Sequence, residues 1–252
     1  MEYFVAPDSV VRKIWGKSDT ILFIFAGASA EFALNKAVDW LYFTGKLPSD
    51  PLGRLFSTVA YARQIVFSEY HQALAAIDKI ASIHQAVEQS RAAQIPDWAY
   101  RDVLFMLIDY SIRSYELLER KLTAQEKEEV FEVFYRVGAR MGIRGLPTYF
   151  ESWEQMRAQH LQENLLASHF TTDLYQQYKK HLGLLRFLIL KQAQILVVPP
   201  KVNALLGLGK VPLFTPVVRG YQFLRLLKAE NYLKDVILPE AYKSQIMALD
   251  KV

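Results

Sequence analysis

Apolar residues recur along the chain at three- and four-residue spacing, as at Ile77, Ile80, Ala81 and Val87, which is the period of a helix with one buried face. Hairpin signals are missing, since no Asn-Gly or Asp-Gly pair occurs. Cap residues divide the pattern into elements. Ser18 or Asp19 opens a long helical region to about Phe43, kinked near Gly27. Asp50-Pro51 starts a helix to about Phe67, with Asp at the cap and Pro in the first turn. Ser68 caps the next, to about Val87, and Asp97 a third, to about Arg120. Thr123-x-x-Glu126 is a capping box for a helix ending near Gly138 to Gly142. Ser152-x-x-Gln155 is a weaker box, and Thr171 or Thr172 caps another helix. Pro199, Pro200, Gly207, Gly209, Pro212 and Pro216 make an irregular crossing, followed by a helix over 218–228 and a short tail helix. The prediction is an all-α fold: a single-domain helical bundle of about eight helices over residues 1–252, without internal repeats or a polar linker.

The longest early apolar run, Ile21 to Ala30, ends at Glu31, far short of the roughly 20 residues that a membrane span needs. A second run, Leu182 to Val198, is broken by Arg186, Lys191, Gln192 and Gln194. The N-terminus carries acids early and does not read as a signal peptide, so a cytoplasmic location is expected. With 52% hydrophobic and 22% charged residues, the composition excludes disorder. The absence of cysteine excludes disulfides, thiolate metal sites and cysteine nucleophiles, leaving His, carboxylate, Met or Tyr to hold any metal.

Charge adds one feature. From Leu174 to Ala229 there is no Asp or Glu, but there are nine Lys and Arg (179, 180, 186, 191, 201, 210, 219, 225 and 228). With a whole-chain charge of +4, the remainder is therefore −5. The 174–229 segment is either a face for anionic lipid headgroups, giving peripheral membrane contact, or a solvated surface pairing with Glu126, Glu128, Glu129 and Glu132.

Most signatures of chemistry are absent. There is no GxGxxG, GxxxxGK[ST], GxSxG, HExxH or ExxH, and no recognisable nucleic-acid module. Two small features remain. Arg54 and Thr58 are spaced i,i+4, so a guanidinium and a hydroxyl share one helix face; they are a donor pair for an anion or polar oxygen, or a surface arginine beside a packed threonine. His84 lies in an apolar stripe with Ile77, Ile80, Ala81 and Val87, as suits a haem axial ligand or a core histidine with one hydrogen bond. His71, His160, His169 and His181 stand in polar or basic surroundings and are expected to be exposed.

The run Asp50-Pro-Leu-Gly-Arg54-Leu-Phe-Ser-Thr58, with Ile83-His84-Gln-Ala-Val87 after it, resembles the MpaB-like oxygenase family, which includes the latex-clearing proteins (rubber oxygenases). That family has a DPxxRxxxT helix and then an I-H-x-x-V helix. Leu122-Thr-Ala-Gln-Glu126 and Arg140-Met-Gly-Ile-Arg-Gly-Leu-Pro147 resemble its later helix start and turn, and the likeness covers roughly residues 20 to 170. The resemblance implies a helical bundle enclosing a haem b pocket, with His84 as axial ligand to the iron and Arg54 and Thr58 beside the haem. It implies dioxygen and an apolar, isoprenoid or lipid-like substrate, since characterised members cleave carbon–carbon double bonds of isoprenoid chains. The residues of Ile21 to Phe43 and Val103 to Ile108 read either as walls of a substrate channel or as plain core. Three departures stand out. Rubber oxygenases carry a lysine next to the motif threonine, on the open side of the haem, and this chain has Ser57. Their acidic base has no match. Where many members have Trp-Val-His, this chain reads Leu107-Ile-Asp109-Tyr110. A haem-binding or lipid-binding helical protein without turnover is the alternative.

Overall fold

The computed structural model describes residues 2–45 and 49–209, with 211, 213, 215, 216, 218 and 220; in the helix after Asp50 the side chains of Leu52, Arg54, Leu55 and Phe56 lie outside the description. Within the described residues there are ten helices and no strand. They are α1 (Val10–Trp15), α2 (Ser18–Phe32), α3 (Asp39–Phe43), α4 (Pro51–Phe67), α5 (Tyr70–Arg91), α6 (Asp97–Leu118), α7 (Ala124–Arg140), α8 (Phe150–Glu163), α9 (His169–Val197) and α10 (Pro200–Leu206). Of the helix expected over 218–228 only Val218 and Gly220 are described, both helical, and the tail helix lies outside the described residues.

Local chemistry starts most of these helices close to the expected places. Asp50 caps α4, its carboxylate accepting the Gly53 N–H at 2.8 Å, with Pro51 in the first turn. At α7 the box closes in both directions: Thr123 Oγ1 accepts from Glu126 N–H, and Glu126 accepts from Thr123 N–H. Two expected caps shift by one turn. Ser168, not Thr171, precedes α9, and Thr171 donates instead to the Ala33 carbonyl at 2.7 Å. At α8, Ser152 sits three residues inside a helix whose cap is Tyr149.

The long helix expected from Ser18 to Phe43 divides, but not at Gly27. Helix α2 runs unbroken through that glycine, and the chain leaves the helix at Ala33–Val38. There the backbone pairs elsewhere: Leu34 C=O accepts from Leu166 N–H at 2.7 Å, Lys36 N–H donates to Asn164 C=O, and the Asn35 side chain accepts from Ala37 N–H. Gly27 serves packing. A Cβ there would lie 2.2 Å from a Tyr110 ring carbon, so only glycine lets α6 come this close.

Helices α2 and α6 form the centre, with α7 and α8 against α6 and α9 against α2. The main core includes Trp15, Ile24, Phe105, Ile108, Phe131 and Trp153. A smaller core of Ala33, Leu174 and Tyr178 joins the end of α2 to α9. Helix α9 is interrupted at Gly183, whose φ of 73° a side chain would resist. No helix among the described residues is long and apolar enough to cross a membrane.

Candidate functional site

Helices α4 and α5 are joined through Ser68 and Glu69 and pack on one another. At about 1.5 Å per residue, the backbones of Arg54 and His84 each stand roughly 20 Å out along their helices from that connection. The two features found in the sequence therefore lie about the same number of turns from the connection between these helices. Ser57 and Thr58 are half-buried, and the side chain of Arg54 lies outside the described residues.

His84 is half-buried on the face that buries Ala73, Ala76 and Ile77 nearer the start of α5; farther along, Ile80, Ala81, His84 and Val87 are only partly covered. Its Nδ1 lies 2.9 Å from the Ile80 carbonyl. A carbonyl can only accept, so Nδ1 is the donor in this contact. Histidines that bind metals commonly use this arrangement, with the second nitrogen tied to a carbonyl. The ring meets Tyr100 of α6 edge-on, with centroids 5.3 Å apart. Tyr100 donates its phenol proton to Glu88 Oε1 at 3.1 Å, and the same oxygen accepts from Ile95 N–H at 2.9 Å. Burial, then the Glu88 charge and hydrogen bond, push the Tyr100 phenol well above its ordinary range, so it remains a donor. Tyr100 and Glu88 were not singled out in the sequence. The i,i+4 spacing of His84 and Glu88 was the only local signal.

The other histidines divide. His71, His169 and His181 are exposed as expected, but His160 is not: it is 7% exposed, paired with Asp102 and stacked on Phe105. It lies seven residues after Trp153 on the inward face of α8, a helical spacing that outweighs its polar neighbours. Asp102 also accepts from Asn35 at 2.8 Å and from Asn164 at 3.1 Å.

A second buried polar group lies between α2, α6 and α8. Arg157 donates to both carboxylate oxygens of Glu31 (Nη2 to Oε2 2.6 Å) and to Asp109 Oδ2 at 3.0 Å. Tyr110 donates to Glu31 at 2.8 Å. Burial opposes the Arg157 charge, yet the two carboxylates hold its pKa well above the ordinary value. Burial and then the Glu31 charge raise the Tyr110 phenol likewise. In the sequence, Glu31 was only the end of an apolar run, and Asp109 only a departure from Trp-Val-His.

The proposed channel walls are mainly core: Ile21, Ile24, Phe105, Met106 and Ile108 are fully buried, while Phe43 and Val103 reach the surface. Two carboxylates of the acidic run find partners near α7 itself, Glu126 with Arg120 and Glu132 with Arg136. Lys179 and Lys180 are exposed, and Arg186, Lys191 and Lys201 are half-buried; Lys210, Arg219, Arg225 and Lys228 lie outside the described residues. Among the described residues, no three His, Asp or Glu side chains gather as a metal ion would need.

A family model described as ER-bound oxygenase mpaB/B'/Rubber oxygenase, catalytic domain, matches residues 14–229. No curated protein matches the chain.

Proposed function

Since this chain belongs to the mpaB/rubber oxygenase catalytic-domain family, whose activity is that of an oxygenase, we propose that it is a haem b-dependent oxygenase acting on an apolar, isoprenoid or lipid-like substrate. The observation that carries the cofactor reading is the bond from His84 Nδ1 to the Ile80 carbonyl, the contact that metal-binding histidines commonly make through their second ring nitrogen. The donor set fits as well. One imidazole on a partly covered apolar face suits an iron that brings four macrocycle nitrogens with it, because such an iron needs no cluster of protein ligands.

Haem b, when bound, supplies the redox-active iron that dioxygen chemistry requires. The protein's part is to hold and orient it. His84 would hold the iron, with its Nδ1 bonded to the Ile80 carbonyl and its ring set against the edge of Tyr100. Arg54 and Thr58 are the donors for a haem propionate or for negative charge developing during turnover. Ser57 offers a neutral hydroxyl where rubber oxygenases carry lysine, so this chain brings one positive charge fewer to that position.

A second reading, a haem-binding or lipid-binding protein without turnover, is favoured by Ser57 and by Leu107-Ile-Asp109-Tyr110 in place of Trp-Val-His. Absorbance decides the cofactor. The purified or haemin-reconstituted protein is expected to show a Soret band that His84→Ala removes at unchanged helix content. A protein that takes up no haemin overturns the haem reading. Arg54→Ala should lower haem occupancy, and unchanged occupancy removes its propionate role. Dioxygen uptake with isoprenoid and fatty-acid substrates then separates enzyme from carrier, and no uptake across the panel leaves the carrier.

A further inference from the structure

Beyond Gly183, α9 turns Phe187 and Leu190 inward against the small core of Ala33, Leu174 and Tyr178. Leu184, Leu185 and Leu188 point the other way, 61%, 72% and 51% exposed. At the helical repeat these three fall within an arc of roughly 100°, with Lys191 at its edge. Lys179 and Lys180, both exposed, stand on the turn before Gly183.

The exposed apolar residues also follow the charge. Of the nine large apolar side chains exposed among the described residues, five (Leu184, Leu185, Leu188, Val211 and Leu213) lie in the acid-free stretch from Leu174 to Ala229. An apolar arc and exposed lysines on one segment are what an interfacial helix presents to lipid.

We propose that the outer face of α9 docks on an anionic membrane surface, with Leu184, Leu185 and Leu188 at the headgroup–acyl boundary and Lys179 and Lys180 among the headgroups. Charge selects this occupant over a second copy of the chain, because a symmetric contact through this face would bring like-charged lysines together. The contact lies on the membrane and does not span it, as no described helix is apolar enough to cross.

The test uses the full chain and co-sedimentation with vesicles of phosphatidylcholine alone or mixed with phosphatidylglycerol. Binding is expected on the anionic vesicles, with a fall at high salt. Replacing both lysines in K179Q/K180Q should weaken it by more than about tenfold, since each surface cation contributes about fivefold. The variant L184S/L185S/L188S should lose binding to the anionic vesicles while its circular dichroism stays that of the parent. Apo and haem-loaded protein should bind alike, which keeps this outcome separate from the cofactor. Absence of binding by the parent chain, equal binding to neutral and anionic vesicles, or unchanged binding by the serine variant overturns the proposal. So does a parent chain that binds no vesicle and is a dimer that the serine variant makes monomeric, which would assign the face to a subunit contact.

Discussion

At the scale of single residues, His84 is constrained from two sides, by its own helix through Ile80 and by α6 through Tyr100. Groups that orient a metal ligand typically change metal affinity by about 10- to 100-fold when lost. Tyr100→Ala is therefore expected to weaken haemin binding at least about tenfold, read by Soret titration, while Tyr100→Phe keeps the ring and stays within roughly threefold of the parent. Equal affinities for all three proteins would exclude a positioning role for Tyr100. The apolar stripe around His84 was legible in the sequence because it is local. Tyr100 was not, because its contact depends on the turn after α5, where Ala92 takes a φ of 51° and returns the chain. No spacing within one helix encodes a meeting across two. Arg157 was hidden for the same reason, since its partners lie 126 and 48 positions away.

At the scale of elements, the cap of α7 gives the plainest expectation. Thr123→Ala removes one arm of the box and should cost about 1 kcal/mol in urea denaturation. Arg120, and then the Thr123 N–H, hold the Glu126 carboxyl down at about 2. A depressed carboxyl stabilises the folded state above its unfolded pKa and loses that contribution as the pH falls toward the folded value. The stability gap between the parent and Glu126→Gln should thus be present at neutral pH, shrink below about pH 4.5 and close near pH 2. It should stay small, because Arg120 is 51% exposed and solvent screens the pair. Gly27→Ala acts on packing. Pressing a methyl group into the Tyr110 ring should cost about 1–3 kcal/mol, seen as a lower urea midpoint. Caps and periods made most helices legible to within a turn. The break at Ala33–Val38 was not, because the groups that compete for its backbone, Asn164 and Leu166, belong to a distant segment.

At the scale of the whole molecule, Glu31, Asp109 and Arg157 tie α2, α6 and α8 together inside the core. Removing the guanidinium leaves the Glu31 carboxylate buried without its counter-charge, while Asp109 keeps Arg113 at 2.6 Å. Arg157→Met should lower stability by about 3–5 kcal/mol, read in thermal or urea unfolding. Replacing all three with apolar residues of similar size should recover most of the loss. A single variant as stable as the parent would show that the tie contributes little. The all-helical class was legible because it rests on summed local preferences, whereas this tie rests on three helices meeting at one point. The tie also bears on how the sequence can change over time. Loss of Arg157 strands the Glu31 charge in the interior, whereas loss of Asp109 leaves the Arg157–Glu31 pair intact, so position 157 is the one that can change only together with its partner. The buried arginine is thereby the slowest of the three positions to be replaced.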